Sequence, residues 1–195
     1  MDASPRITAL EHDPRRPGTI RLEIDSARFG AVPRELVSAE GLAVGQLLGP
    51  ELLERLGAAA DIEAAYRTVL RCLELRSYAT GDLGRRLQRK GHPRPAVEAA
   101  LERASGLGLL DDEAYARNYV QTRGARGRGP SRLTRDLLAM GVQRPLIDRA
   151  IAAEWPEGTD RSSVQLALAT KRAAQLGGLP RQTRRRRVLA YLARR

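Results

Sequence analysis

The sequence contains few of the residues from which disulfides, metal sites and catalytic sites are built. Its 195 residues include one cysteine, Cys72, which excludes an internal disulfide, and two histidines, His12 and His92. No metal-ligand spacing, nucleophile motif or phosphate-binding loop is present. We therefore predict a protein that is not an enzyme and uses no metal or cofactor. We expect Cys72 to be buried in a helix and His92 to fill a turn or core position.

Aromatic residues and long apolar runs are also scarce. Phe29, Trp155 and five tyrosines make up 4% of the chain, which gives poor support for an aromatic platform that stacks single-stranded bases. No apolar run approaches the roughly 20 residues that cross a bilayer, and the N-terminus lacks the basic and then apolar pattern of a signal peptide. The prediction is a soluble, cytoplasmic protein with no membrane partner.

Lysine occurs only at Lys90 and Lys171, whereas arginine is abundant and the formal net charge is +11. Such an excess favours a polyanionic partner, and charge alone does not choose among nucleic acid, an acidic protein surface and an anionic membrane. Arginine suits two-pronged hydrogen bonding to carboxylate or phosphate. A GC-rich genome that encodes arginine in place of lysine explains the same composition without any partner.

A pattern of helical positions returns after a shift of 50 residues. The first copy is Leu83, Leu87, Gly91, Pro95, Val97 and Leu101, and the second is Leu133, Leu137, Gly141, Pro145, Ile147 and Ile151. A fixed period of this length is typical of helical repeats that share a core with their neighbours and present one long surface to a partner. The pattern favours a binding role over a catalytic one.

The predicted fold is mainly α, with tandem three-helix repeats in an elongated, curved array preceded by a small β-containing element. Residues 1–58 form a β-hairpin, a third strand and short helices, because Ile20, Leu22 and Ile24 alternate with charged residues. We place the boundary near residues 57–61. Repeat 1 covers residues 59–109, repeat 2 covers 110–156, and an incomplete repeat 3 covers 157–195 and lacks its third helix.

Several residues are predicted to begin or end these helices. Thr80 can cap the second helix of repeat 1, and Gly91 ends it. The acidic pair Asp111 and Asp112 is interpreted as the start of the first helix of repeat 2, because acids complement the positive end of a helix.

Two arginine-rich surfaces fall at corresponding places in the repeats. The first arginine cluster is Arg85, Arg86, Arg89 and Lys90, on the second helix of repeat 1. The second arginine cluster is Arg123, Arg126, Arg128, Arg132 and Arg135, around Gly124, Gly127 and Gly129. A basic segment interleaved with glycine can approach a phosphate or carboxylate surface closely, and repetition would line both clusters along one groove. A solvated charged face is the alternative interpretation.

The second and third helices of each repeat also resemble a helix-turn-helix. A helix that reads bases should begin with polar side chains, but the third helices begin Pro95-Ala96-Val97 and Pro145-Leu146-Ile147. Sequence-independent contact with phosphates remains open. A DNA-binding protein, helix-turn-helix-like or nonspecific, is therefore the second hypothesis, and a basic RNA-associated protein is another.

Three segments together resemble the RecX family, the regulators of the bacterial recombinase RecA. They are Ile7–Glu11, the string Gly108–Arg117, and the Arg-Gly-Pro segment Arg126–Leu133 with Leu137 and Gly141 after it. The leucine-aspartate string joined to the Arg-Gly-Pro segment is more specific than either alone. The resemblance covers most of the chain.

The resemblance implies a non-enzymatic protein that binds RecA or its nucleoprotein filament and modulates it. Family members usually limit filament growth, and with it ATP hydrolysis, strand exchange in recombination and repair, and repressor cleavage in the SOS response. An arginine-lined surface suits the groove of a filament that presents both carboxylates and phosphates. We expect both arginine clusters to contact acidic RecA surfaces or the enclosed DNA, any direct DNA contact to be weak, and the protein to be a monomer.

Overall fold

The computed structural model describes residues 4–14, 16–156 and 162–193. The strands are β1 (Ile7–His12), β2 (Thr19–Ile24) and β3 (Ala27–Pro33). The helices are α1 (Arg34–Ala39), α2 (Pro50–Leu73), α3 (Thr80–Arg89), α4 (Arg94–Gly106), α5 (Asp112–Gly124), α6 (Pro130–Ala139), α7 (Arg144–Glu154), α8 (Ser162–Gln175) and α9 (Arg181–Ala193). The predicted fold class, mainly α with a small N-terminal sheet, is confirmed. None of the described helices is both long and apolar enough to cross a membrane.

The sheet is an antiparallel meander in the order β1-β2-β3. Every second residue of β2 from Ile20 to Ile24 is buried, as the two-residue period of a strand predicts. The turn between β2 and β3 uses Asp25 and Ser26, whose φ angles of 49° and 63° are left-handed. Two-residue hairpin turns take this conformation because its twist matches that of the strands.

Helix α2 is continuous over 24 residues and runs through residues 57–61, where the sequence predicts the boundary. Its first half packs under the sheet, where Leu56 is fully buried, and its second half enters the core of repeat 1, where Val69 is fully buried. Gly57 lowers helix propensity by about 1 kcal/mol relative to alanine. The helix continues through Gly57 because packing on both sides outweighs this cost.

The 50-residue pattern is confirmed by equal burial in its two copies. Side chains that are 0–1% exposed are Leu83, Leu87 and Val97 in the first copy and Leu133, Leu137 and Ile147 in the second. Gly91 and Gly141 follow α3 and α6 with φ angles of 89° and 87°, a conformation that favours glycine at helix ends. Pro95 and Pro145 lie in the first turns of α4 and α7, where a missing N–H costs no helical hydrogen bond.

The chain divides into two compact units. Unit 1 comprises residues 1–78 with 82–110, and unit 2 comprises residues 79–81 with 111–195. Unit 1 holds the sheet, α1, α2, α4 and most of α3, and unit 2 holds α5 to α9. The predicted limits at residues 58, 109 and 156 stay a prediction, and the first residues of predicted repeat 3, at 157–161, lie outside the described part of the chain.

Carboxylates organise two helix starts within unit 2. The side chain of Asp111 accepts the backbone N–H of Ala114 at 2.8 Å and caps α5, as expected. Thr80 is already the first residue of α3, and its amide N–H donates to Oδ1 of Asp112 at 2.7 Å, so Asp112 supplies the acceptor at this end instead of the predicted Thr80. A Cβ on the next residue, Gly81, would lie 2.9 Å from Cα of Gly141, so the close approach of the two backbones requires glycine.

Candidate partner-binding surface

The first arginine cluster lies on the outer side of α3, in unit 1. Arg85 and Arg89 are one helical turn apart and exposed, and with Gln88 they line a shallow concavity. Nη2 of Arg85 lies 3.6 Å from Oδ1 of Asp82, longer than a hydrogen bond. Lys90 follows at the helix end and is exposed. These three cations therefore face solvent.

Arg86 differs from the rest of the first arginine cluster. Its guanidinium carbon lies 6.0 Å from the ring centre of Tyr78, which is 5% exposed. Its Nε is buried and finds no acceptor within the described part of the chain. Arg86 packs along the edge of the repeat 1 core, so it is less available to a partner than Arg85 or Arg89.

The second arginine cluster is organised by an acid, Asp136, that the sequence analysis did not single out. Oδ2 of Asp136 accepts from Nη1 of Arg128 at 2.7 Å, and its Oδ1 lies 3.0 Å from Nε of Arg132. The hydroxyl of Tyr119 also donates to Asp136, at 3.2 Å. The Asp136 side chain is only 14% exposed, so this network fixes the loop between α5 and α6. The four-residue spacing from Arg132 to Asp136 is the pattern that could have revealed it.

Tyr119 sits at the centre of this network. Its burial, and next the negative charge of Asp136, raise the pKa of Tyr119. The guanidinium carbon of Arg123 lies 5.7 Å from the centre of its ring. Arg126 and Arg135 are exposed, and Nε of Arg135 lies 3.5 Å from the carbonyl oxygen of Ser131. Within the second arginine cluster, Asp136 thus holds Arg128 and Arg132, while Arg126 and Arg135 are exposed.

Glycines near the second arginine cluster serve the fold. A Cβ on Gly124 would lie 2.9 Å from the ring of Trp155, so this glycine makes room for a packed indole. Gly127 has a φ of 79° in the loop, and Gly129 is the residue before α6. These roles explain Gly124 and Gly127 without the close approach to a phosphate or carboxylate surface that the sequence suggested.

The two arginine clusters lie in different units, since residues 85–90 belong to unit 1 and residues 123–135 to unit 2. Each surface is defined within its own unit. Their alignment along one groove stays a prediction.

The third helices of the repeats do not present their first turns for base contact. Ala96 is 3% exposed and Val97 is 1% exposed in α4, and Ile147 is fully buried in α7. These side chains belong to the cores of their own repeats. A helix that inserts its N-terminal residues into the major groove needs them exposed and polar, so base reading by α4 or α7 is disfavoured.

Cys72 and His92 take the positions expected of them. Cys72 is 5% exposed in the core of repeat 1. His92 lies in the turn after α3, with Nε2 3.0 Å from Oγ1 of Thr68, and burial lowers its pKa. Across residues 4–14, 16–156 and 162–193, no group of three or more His, Cys, Asp or Glu side chains is placed to hold a metal ion.

Comparison with known proteins places this architecture in a family. Residues 111–151 match the family model described as RecX, second three-helix domain. A regulatory protein RecX from Mycolicibacterium smegmatis is 31% identical over 136 residues, which are 68% of this chain and 72% of that protein. The chain belongs to the RecX family. The matched residues 111–151 contain α5, α6 and most of α7, and with them the whole second arginine cluster.

Two other RecX proteins match different shares of this chain. A regulatory protein RecX from Pseudomonas fluorescens is 35% identical over 97 residues, which are 48% of this chain and 63% of that relative. The match therefore spans just under two thirds of that relative's length. A crystal structure of a regulatory protein RecX has a TM-score of 0.73 and 24% identity, and the match covers 97% of this chain and 92% of that one. The fold is shared over nearly the whole chain.

Proposed function

We propose that this RecX-family protein regulates the RecA recombinase by binding the RecA filament on DNA and limiting its growth. Filament-dependent ATP hydrolysis, recombination and coprotease activity then fall together. Family membership supports a regulatory role. One observation carries the choice of surface: Arg85 and Arg135 are 50 residues apart, occupy equivalent positions on α3 and α6, and are both exposed.

Arginine suits such a partner because its planar guanidinium binds carboxylate or phosphate with two parallel hydrogen bonds. A single exposed ion pair contributes roughly 0–1 kcal/mol. Repeated contacts from linked repeats add, since after the first contact the second forms at high effective concentration. The guanidinium of Arg85 lies 3.6 Å from Asp82 and its side chain is about half exposed, so a partner carboxylate or phosphate can reach it.

The proposal is tested by RecA ATP hydrolysis on single-stranded DNA, with the protein titrated from far below to above the RecA concentration. The test variant is Arg85→Glu with Arg135→Glu. The matched control is Arg94→Glu with Arg144→Glu, because these residues are also 50 apart and exposed, and each pairs with an acid four residues later. Both variants change the net charge equally, and circular dichroism checks that both fold.

Wild type and control should inhibit at substoichiometric amounts, and the test variant should need at least about tenfold more protein, equal to about 1.4 kcal/mol of binding. Equal potency of the test variant and wild type would remove Arg85 and Arg135 from the mechanism. If wild type fails to inhibit up to equimolar amounts yet binds bare DNA tightly at physiological salt, the DNA-binding hypothesis replaces RecA regulation.

A further inference from the structure

A cationic cavity lies in unit 1, and none of its lining residues belongs to either arginine cluster. The polar face of the sheet, Pro14 and Arg16 after β1 and Arg67 in the second half of α2 line a space of about 560 Å³, within the range of roughly 300–1,000 Å³ seen for small-molecule sites. Among the described residues, its arginines are Arg16, Arg21, Arg28 and Arg67. The cavity shares no residue with the proposed RecA surface, so the inference drawn from it does not rest on the proposed function.

Two of the four arginines already have acidic neighbours. Nη2 of Arg21 donates to Oδ1 of Asp13 at 2.9 Å, and the Asp13 side chain is only 10% exposed. In the sheet register Glu11 lies opposite Arg21, and Glu23 lies opposite Arg28. Directly opposed charges of unlike sign stabilise neighbouring strands. Acids therefore balance the sheet side of the cavity.

Arg67, which enters from α2, is less well satisfied. Its Nε is buried and has no hydrogen-bond acceptor among the residues that the structure describes. Burial is the largest effect that lowers the pKa of Arg67, and the positive charge of Arg16 is the next. Arg28 and Arg71 also lower this pKa, whereas the negative charge of Asp13 raises it. Neighbouring like charges repel one another, and a buried donor prefers an acceptor. An anion in the cavity would meet both needs.

We propose that this cavity binds a phosphate group through Arg16, Arg28 and Arg67. Guanidinium groups are suited to phosphate because they offer paired N–H donors with a fixed positive charge. Glu11 and Glu23, which lie beside Arg21 and Arg28 on the sheet, would repel further negative charge and accept hydrogen bonds from donors on the rest of the ligand. This arrangement fits a single phosphate attached to a hydrogen-bonding body, as in a mononucleotide or one phosphodiester of a nucleic acid strand.

Isothermal titration calorimetry on the full chain tests the proposal, with inorganic phosphate as the probe and chloride at matched ionic strength as the reference. Arg67→Met removes the unsatisfied guanidinium and keeps an apolar stem. Arg16→Gln changes a loop residue and keeps the site testable if Arg67→Met fails to fold. Arg34→Gln is the control, because Arg34 is exposed at the start of α1 and does not line the cavity.

Phosphate should bind to wild type and to Arg34→Gln with equal affinity, and to each cavity variant with about tenfold lower affinity. Thymidine 5′-monophosphate and a short oligodeoxythymidine then identify the source of the phosphate. Tighter binding of the nucleotide indicates a free mononucleotide ligand. Tighter binding of the oligodeoxythymidine indicates the backbone of a nucleic acid strand. Either result supports the site if the cavity variants weaken it. Failure of phosphate to bind wild type, equal binding by the folded cavity variants, or an equal effect of chloride would overturn it.

Discussion

The buried acid Glu63 allows a sharp test of how unit 1 is stabilised. The Glu63 side chain in α2 is 3% exposed, and its Oε1 lies 2.6 Å from Nη1 of Arg103 in α4. The guanidinium carbon of Arg103 also lies 4.2 Å from the ring centre of Tyr66. Arg103 thus joins α4 to α2 through an ion pair and a ring contact. Arg103→Met keeps an apolar side chain of similar reach and leaves Glu63 buried without its cation.

The expected cost follows from this geometry. Removing one partner of a buried ion pair costs about 3–5 kcal/mol, but Arg103 is 47% exposed, so solvent screening reduces that figure considerably. The lost ring contact adds about 0.5–1 kcal/mol. We expect Arg103→Met to lower the free energy of unfolding by about 2 kcal/mol. Adding Glu63→Leu should restore most of the loss, because no unpaired charge then remains buried.

Urea unfolding followed by far-ultraviolet circular dichroism measures these differences, provided that the m values stay equal. Arg94→Met is the control, because Arg94 and its partner Glu98 are both largely exposed, and no measurable change is expected there. The reasoning is refuted if Arg103→Met matches wild type, or if the double variant is less stable than Arg103→Met alone.

Two further predictions concern single contacts in the repeats. Asp136→Asn removes a negative charge that raises the pKa of Tyr119, so that pKa should fall in a titration followed by ultraviolet absorbance; an unchanged titration would contradict the network. Because burial lowers the pKa of His92, the unfolded chain binds its proton more tightly, and stability should fall as the pH drops below the ordinary histidine pKa of about 6.5. His92→Val introduces the residue found at the equivalent Val142 of repeat 2. This variant should lose this part of the pH dependence of stability in urea titrations. If wild type and the variant show the same dependence of stability on pH, His92 is not its source.

The sequence predicted the repeats well because their determinants are local. The four-residue spacing of Leu83 and Leu87 defines a helix face, and the glycine after each second helix takes a left-handed conformation that other residues avoid. Helix α2 was harder to predict. Gly57 suggests a break when only neighbouring residues are considered, whereas burial of Leu56 and Val69 in two cores of unit 1 keeps the helix continuous.

Long-range contacts of acidic side chains could not be predicted. Glu63 and Arg103 are 40 residues apart, and Asp112 and Thr80 are 32 residues apart. From its sequence neighbours alone, Glu63 looks like a solvated residue and Asp112 like part of the start of its own helix. Burial of a carboxylate is acceptable only when a partner compensates for its lost hydration, and that partner is identified only by the tertiary structure.

The residues of the candidate surface in repeat 1 can be compared with their equivalents 50 residues later in repeat 2. Shifting by 50 residues turns Asp82 into Arg132 and Arg86 into Asp136, while Arg85 and Arg135 keep their identity. In each repeat one of these positions holds an acid that engages nearby arginines, Asp82 with Arg85 and Arg76, and Asp136 with Arg128 and Arg132. The position of Asp82 and Arg132 and the position of Arg86 and Asp136 can therefore exchange the sign of their charges, as long as one of the two holds an acid. Arg85 and Arg135 stay arginine while their neighbours exchange sign, so of the nine residues in the two clusters they are the first to reverse in charge when the proposed partner surface is tested.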